Sequence, residues 1–436
     1  MATGLALALG VCLIAWAVCL RLLVGTWLHP AAFFALWWCF AGILPLILAP
    51  REPVAPNAML WVIAASIAVS MGAIAGNFGF KTRVNPNPAP ATDRELFVFG
   101  MIVVVSTVFG VASNVAFVAG SNVAFADLFD IQTLIITSNQ FYAQRFGDLP
   151  PPPPRLSQAL LPFVYLAPLA GGILFVLRRE RRWKLVALLT FIPALGVTIL
   201  QTTKAAVLFA MSLWLSAYFA TRLRQGKLAV FTKTHVLAAG GLGLFVLALF
   251  FATSFARLAS TDAALLNIVV AKLVSSAFGH MSVFSQWLTD YWNQPFSPSL
   301  GTATFAGPLE LLGYSRRIPG VFEQVIDLVL GEMSNIYTGF RPLIQDFTIP
   351  GALTILAMLG FVGGAGFRMV AAGKWSGIAL LLFAYLTIMW TPITWLWFYN
   401  SLTATVVAII AVVFAIRVWR GRFWISRYTG ATVGGA

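Results

Sequence analysis

The chain has 436 residues, 60% of them hydrophobic and 10% charged, with a formal net charge of +14 and a mean hydropathy of +0.88. Water cannot solvate such a surface, so the composition excludes a soluble globular domain and predicts a polytopic membrane protein. The apolar residues come in continuous runs rather than alternating with polar ones, which excludes a transmembrane β-barrel and leaves an all-α bundle.

A helix needs about 20 apolar residues to cross about 30 Å of hydrocarbon. In chain order the runs predict eleven spans: 3 to 20, 31 to 49, 58 to 76, 96 to 118, 157 to 177, 184 to 201, 205 to 221, 236 to 255, 350 to 367, 376 to 391 and 394 to 416. The first run begins almost at Met1 with no basic segment before it, so a cleaved signal peptide is not expected.

Alternating spans bring Arg21, Lys81, Arg83, Arg94, "RRERRWK" (178 to 184), Arg222, Arg224, Lys227, Lys233, Arg368, Lys374, Arg417, Arg420, Arg422 and Arg427 to one side, 19 of the 28 cations. The positive-inside rule makes that side cytoplasmic, with the N-terminus periplasmic and the C-terminus inside. The basic excess is therefore a topology signal and gives no reason to expect a nucleic-acid partner. Only Asp93, Glu95 and Glu180 lie inside, which leaves 11 of 14 acids outside and concentrates polar chemistry on the outer face. Cys12, Cys19 and Cys39 fall in the first two spans, and His29, His235 and His280 are scattered. Neither set suggests an exported disulfide or a metal site, and no cofactor is expected.

The chain reads as one integral membrane domain over 1 to 436 with two long outer segments. The first, 119 to 156, ends in "GDLPPPPPR", whose prolines force an extended stretch. The second, 256 to 349, is a large periplasmic loop, long enough to fold on itself. Within it "LVSSAFGHMSVFSQW" sets Leu273, Ala277, His280, Phe284 and Trp287 on one helix face, with Gly279 as the weak point. "RRIPGVFEQVIDLVLGE" predicts a second helix, started at Pro319 and stopped at Gly331.

No phosphate-binding loop, dinucleotide fingerprint or H-E-x-x-H motif occurs. The span cores contain no acid, which counts against proton-coupled transport. What remains is a set of outer cations: Arg145, Lys204, Arg316, Arg317 and Arg341. Guanidinium groups bind phosphate bidentately, so a membrane-surface site lined with them suits a lipid-linked pyrophosphate. Ordinary headgroup contacts account equally well for Arg145 or Lys204 taken alone. His280 fits a packed histidine better than a base. Asp346 or Thr348 can cap a span that has Pro350 in its first turn, and Glu323 and Asp327, one turn apart, fit a solvated face.

"SNIYTGFRPLIQDFTIPG", residues 334 to 351, resembles the "N-x-Y-T-x-x-R-x-x-x-x-D-F-G-x-x-G" region of bacterial oligosaccharide repeat-unit polymerases, the Wzy-type O-antigen polymerases. Asn335, Tyr337, Thr338, Arg341, Asp346 and Gly351 stand at matching positions, while Thr348 stands where the pattern has Gly. "FGHMSVFSQWL", "QTTKAAVLFAMSLWLSAYFATRLR" and "QFYAQRFGDLPPPP" followed by "LAPLAGG" fit the same family.

The resemblance implies a C-type glycosyltransferase bundle in the bacterial cytoplasmic (inner) membrane, acting on undecaprenyl-pyrophosphate-linked glycans at its outer face. A chain-length regulator and a flippase of the same pathway are the implied partners. Arg341 would grip pyrophosphate, while Asn335, Tyr337 and Thr338 would hydrogen-bond sugar or phosphate. Asp346 would orient Arg341 or act as base, with Glu332 and His280 as the other bases to test. Trp287, Tyr291 and Trp292 fit sugar stacking or interface anchoring equally. An O-antigen ligase, using the same donor but a lipid A core acceptor, shares this layout. A flippase would line a path through the bundle with charge, whereas here the charges gather at the outer mouth.

Overall fold

The computed structural model describes residues 2–77, 91–121, 126, 129–145, 154–228, 232–258, 265–293, 297–314, 322, 324–329, 331, 333–399, 404–410 and 414. In order, α1 (Ala2–Val24), α2 (Pro30–Leu48), α3 (Pro56–Asn77) and α4 (Asp93–Ala119) are followed by the shorter α5 (Ile131–Arg145). Then come α6 (Arg155–Leu177), α7 (Arg181–Leu189), α8 (Ile192–Leu200), α9 (Lys204–Arg224) and α10 (Lys233–Arg257). The remainder comprises α11 (Leu266–Phe278), α12 (His280–Asn293), α13 (Ala306–Leu311), β1 (Ile326–Asp327), β2 (Met333–Ser334), α14 (Phe340–Ala371) and α15 (Ile378–Trp390).

The protein is an all-α polytopic membrane protein, and nine helical stretches among the described residues are long and apolar enough to cross a bilayer. They match the first nine predicted spans. The sixth is broken between α7 and α8, where Thr190 turns its hydroxyl back to Ala187 O at 2.6 Å ahead of Pro193. The predicted tenth span appears as a shorter apolar helix, Trp375–Trp390. Of the eleventh, only 394–399, 404–410 and 414 are described.

Hydrogen bonds between turns sort the helix ends into two sets. At one end Thr26 donates to Leu228 O (3.3 Å), Gln225 to Val176 O (3.4 Å), Arg224 Nε to Gly373 O (3.2 Å) and Trp375 Nε1 to Glu95 Oε1 (2.8 Å). Thr92 and Glu95 form a capping box there and start α4. Arg21, Arg94, the 178–184 cluster, Arg222, Arg224, Lys227, Arg368 and Lys374 all sit at this basic end. At the other end Ser113 donates to Ser157 O (2.8 Å), Arg257 to Thr202 O (2.6 Å) and Gly339 N to Thr391 O (2.6 Å). There Ala55 N also donates to Ser285 Oγ at 2.7 Å.

The centre of the bundle is the crossing of α3 and α14, which run parallel with their backbones almost in contact. A Cβ added to Gly72 would lie 1.8 Å from Ala357 O, and one added to Gly360 would lie 2.1 Å from Val69 O. Gly76 and Gly364 continue the same seam a turn further on. Small residues four apart are what let two helices approach this closely in lipid, where packing rather than the hydrophobic effect drives association.

Three expectations for the outer loop change. The described residues of the "VFEQVIDLVL" stretch form no helix: β1 pairs antiparallel with β2, Ile326 opposite Ser334, and Gly331 has φ 79° at the connecting turn. Its Val and Ile residues favour an extended backbone. The helix expected around His280 is two helices, α11 and α12, bent by 57° at Gly279. The loop ends at 339 rather than 349, because α14 begins at Phe340. The polyproline run lies largely outside the described residues.

Replacing Gly360 by Val forces α3 and α14 apart at a cost of about 3 kcal/mol or more, by overpacking. Gly240 in α10, with no atom within 4 Å of an added Cβ, is the matched control. Size-exclusion profiles in detergent are expected to lose the monodisperse peak for Gly360→Val and keep it for Gly240→Val.

Candidate functional site

The polar motif opens α14 at the end opposite the basic one. Gly339 fits there because a Cβ would meet Thr394 C at 3.0 Å. Phe340 then stacks on Trp38 (ring centroids 4.7 Å apart) and meets Phe284 at 5.8 Å. Trp38 is itself held by donating Nε1 to Thr391 Oγ1 at 3.1 Å. These contacts fix the first turn of α14 and thereby the direction of Arg341.

Arg341 is 8% exposed, enclosed by three aromatic rings. Its guanidinium carbon lies 3.9 Å from the ring centroid of Tyr337, 4.0 Å from that of Phe322 and 5.3 Å from that of Trp287. Nη2 donates to Gln324 Oε1 at 3.1 Å, while Nε and Nη1 are buried and have no hydrogen-bond partner among the described residues. No carboxylate among those residues is a charge partner of Arg341. Aromatic faces stabilise a cation without occupying its N–H donors. A buried guanidinium with vacant donors is expensive alone, and an oxyanion is the partner that fits it.

Asn335 and Tyr337 build the wall of this cage. Asn335 Nδ2 donates to Phe322 O at 3.0 Å and the Tyr337 hydroxyl to Gln324 O at 2.9 Å. Both hold the extended segment that carries Phe322 and Gln324, so their polar atoms are engaged in shaping the site. Burial pushes the Tyr337 phenol above its ordinary titration range, with the Arg341 charge pulling the other way, so the ring stays neutral at pH 7. Thr338 accepts from Phe340 N at 3.3 Å and has φ 68°.

Asp346 is fully buried, and its hydrogen bonds run to the 299–304 turn rather than to Arg341. Oδ1 accepts from Ser299 Oγ and from Ala303 N (3.2 Å), and Oδ2 accepts from Thr304 N. The Thr304 hydroxyl returns a bond to Pro342 O at 3.2 Å. The carboxylate therefore ties the 299–304 turn to α14 and caps no helix at Pro350. Two residues on, α14 breaks at Thr348, whose φ of 62° and ψ of 179° belong to a region occupied almost only by glycine. Strained threonines thus bracket the two turns that carry Arg341 and Asp346.

His280 is buried away from the cage, its Nε2 3.0 Å from Ala41 O on α2. Ala41 precedes Leu48 by about two turns, which puts His280 roughly 10 Å below the end of α2. It also borders an apolar cleft of about 210 Å³ with Trp37, Phe40 and Pro392. Lys204 donates to Ser254 Oγ at 3.0 Å on α10. Arg145 ends α5, and its side chain is outside the described residues, as are Arg316, Arg317, Glu323 and Glu332. The structure thus brings Arg341, Tyr337, Asn335 and Trp287 together, whereas Asp346, His280 and Lys204 bond elsewhere. Phe322 and Gln324 were missed: read as extended, the segment sets both on one face, but a helical reading separates them. No group of three or more His, Cys, Asp or Glu among the described residues could hold a metal ion.

Comparison with family models, with curated proteins and with solved structures finds no match to the chain.

Asp346→Ala leaves three donors without an acceptor and is expected to lower stability by at least about 3 kcal/mol. Asp346→Asn is expected to fall between, because an amide offers one acceptor where the carboxylate offers two. Thr348→Gly is expected to gain about 1 kcal/mol by relieving the left-handed backbone, and Thr348→Val to lose stability. Thermal unfolding in detergent checks all four; wild-type midpoints for both Asp346 variants would contradict the latch.

Proposed function

We propose that the protein is a C-type membrane glycosyltransferase that polymerises undecaprenyl-pyrophosphate-linked oligosaccharide repeat units, of O-antigen or a related surface polysaccharide, at the periplasmic face of the bacterial cytoplasmic membrane. The observation that carries this reading is the Arg341 cage, a buried guanidinium with two nitrogens unpartnered among the described residues, at the end of the bundle away from the basic turns. Under the positive-inside rule that end faces outward.

The sequence resemblance supplies the substrate class, and two features agree with it. Arg341, the family's arginine position, is the residue the aromatics enclose. Thr348 adopts a backbone conformation suited to glycine at the position where the family pattern has glycine. The span cores read from the sequence contain no acid, which counts against a proton-coupled transporter.

In this reading the acceptor hydroxyl oxygen bonds to the anomeric carbon of the donor sugar. The bond from that carbon to the pyrophosphate oxygen breaks, and the lipid pyrophosphate leaves with the electron pair. Arg341 neutralises the charge that gathers on the leaving oxygens, inside a site whose aromatic walls exclude water. Asp346 and His280 are held by the fold and are assigned no proton transfer; the hydroxyl proton ends on the departing pyrophosphate or solvent. No nucleotide or metal is required for the step, since the leaving group is already activated.

Surface polysaccharide from a deletion strain, complemented with wild type, Arg341→Ala or Arg341→Lys, tests this on a gel. Wild type is expected to restore a ladder, and both variants to lose it by about 100-fold or more while remaining inserted, because Lys cannot reproduce the stacked planar fork. A deletion that leaves finished polymer on the lipid carrier would make the protein a ligase, and a normal ladder from Arg341→Ala would overturn the site.

A further inference from the structure

The apolar cleft of about 210 Å³ lies between α2, the α11–α12 break and the turn after α15. Two interruptions of helix shape it. Pro45 in α2 has no N–H to give Ala41 O, and His280 Nε2 supplies that carbonyl with a partner at 3.0 Å. The 57° bend at Gly279, where a Cβ would lie 2.5 Å from Ser275 O, lets Ala277 and Phe278 of α11 line the cleft together with His280. With the proline-freed carbonyl covered, Trp37, Phe40, Leu44, Met389 and Ile393 leave a hydrocarbon lining. Phe40, Leu44 and Ala277 are exposed, so the cleft opens on the surface that faces lipid.

The cleft and the Arg341 cage hang on the same supports. Thr391, next to Pro392 of the cleft, accepts from Gly339 N at 2.6 Å and from Trp38 Nε1 at 3.1 Å. Trp38, next to Trp37 of the cleft, stacks on Phe340, the residue before Arg341. On α12, His280 borders the cleft, Phe284 meets Phe340 and Trp287 faces the Arg341 guanidinium. These three share one helix face, and the seven residues from first to last set cleft and cage about 10 Å apart along the helix. An amphiphile with an anionic head fits this pair: Arg341 complements the head, and the chain leaving the head runs toward the cleft in the outer half of α2. A methyl-branched, unsaturated chain is stiffer and thicker than a straight one, so a fixed groove walled by rings and prolines gives it more close contacts.

We propose that this cleft seats the first isoprene units of a prenyl pyrophosphate whose head lies at Arg341. The placing of the head rests on the polymerase reading; the seat for a prenyl chain does not.

Native mass spectrometry of the full chain in phosphatidylcholine nanodiscs tests this with three probes in separate arms. They are farnesyl pyrophosphate, dodecyl pyrophosphate, which has the same backbone length without the methyl branches, and inorganic pyrophosphate. Wild type is expected to bind farnesyl pyrophosphate at least tenfold more tightly than either of the others. Ala277→Trp and Leu44→Trp, which fill the cleft from two exposed walls, are expected to remove that gain and to bind inorganic pyrophosphate as wild type does. Ile47→Trp, exposed on α2 outside the cleft, is expected to keep the gain. Farnesyl pyrophosphate bound undiminished by both filled variants would overturn the cleft and leave the cage untouched. Equal binding of farnesyl and dodecyl pyrophosphate by wild type would also overturn it, because the cleft would then take any lipid chain. Arg341→Gln is expected to weaken farnesyl pyrophosphate at least tenfold. Full binding by Arg341→Gln, with loss in Ala277→Trp, would uphold the prenyl seat while removing the cage from the polymerase reading.

Discussion

The near contact of the α3 and α14 backbones is the constraint on which the rest of the structure depends. In lipid, helices gain little by hiding apolar surface from one another, so position is set by how closely they can pack. The glycine seam between Gly72 and Gly364 fixes α14 in depth and rotation. Everything polar at the site end is then hung on the first two turns of α14: Phe340 in its aromatic socket, Arg341 in its cage and Asp346 in the 299–304 turn. Because α3 runs parallel to α14, the turn before α3 lies beside the same mouth, where Ala55 and Glu52 hold α12 and the β-hairpin through Ser285 and Val329.

Arg341 and Asp346 show two opposite treatments of a buried charge within two turns of one helix. Asp346 is satisfied, with both oxygens accepting hydrogen bonds from a single turn. Arg341 is stabilised by ring faces, and two of its nitrogens have no hydrogen-bond partner among the described residues. Leaving donors buried and unpartnered costs stability, and the proposed pyrophosphate site rests on this contrast.

Hydropathy and charge made the membrane class and the alternation of helix ends legible, because both signals are local and every span carries them. Gly279 likewise marked the break between α11 and α12. The site was legible as a set of residue types in "SNIYTGFRPLIQDF" but not as an arrangement. Arg341, Gln345 and Asp346 read as loop because they are polar, whereas they are helical and buried: their partners, Phe322, Gln324 and the 299–304 turn, lie far away in sequence. The hairpin around Gly331 was read as a helix because Pro319 and Gly331 imitate helix punctuation, while the β-branched residues between them decide for an extended chain. The role of Asp346 as a latch depends on backbone N–H groups some 40 residues earlier, for which a sequence carries no signal.

The central claim is that caged Arg341 receives a lipid pyrophosphate as it leaves a sugar. Purified protein in liposomes, supplied with a prenyl-pyrophosphate-linked oligosaccharide as its only substrate, measures this directly when glycan length and released prenyl pyrophosphate are followed together. The account predicts glycans of two or more repeat units with an equal number of carriers released per new bond, and neither product from Arg341→Ala. Substrate that crosses the bilayer or stays unchanged, with no carrier released by wild type, would contradict it.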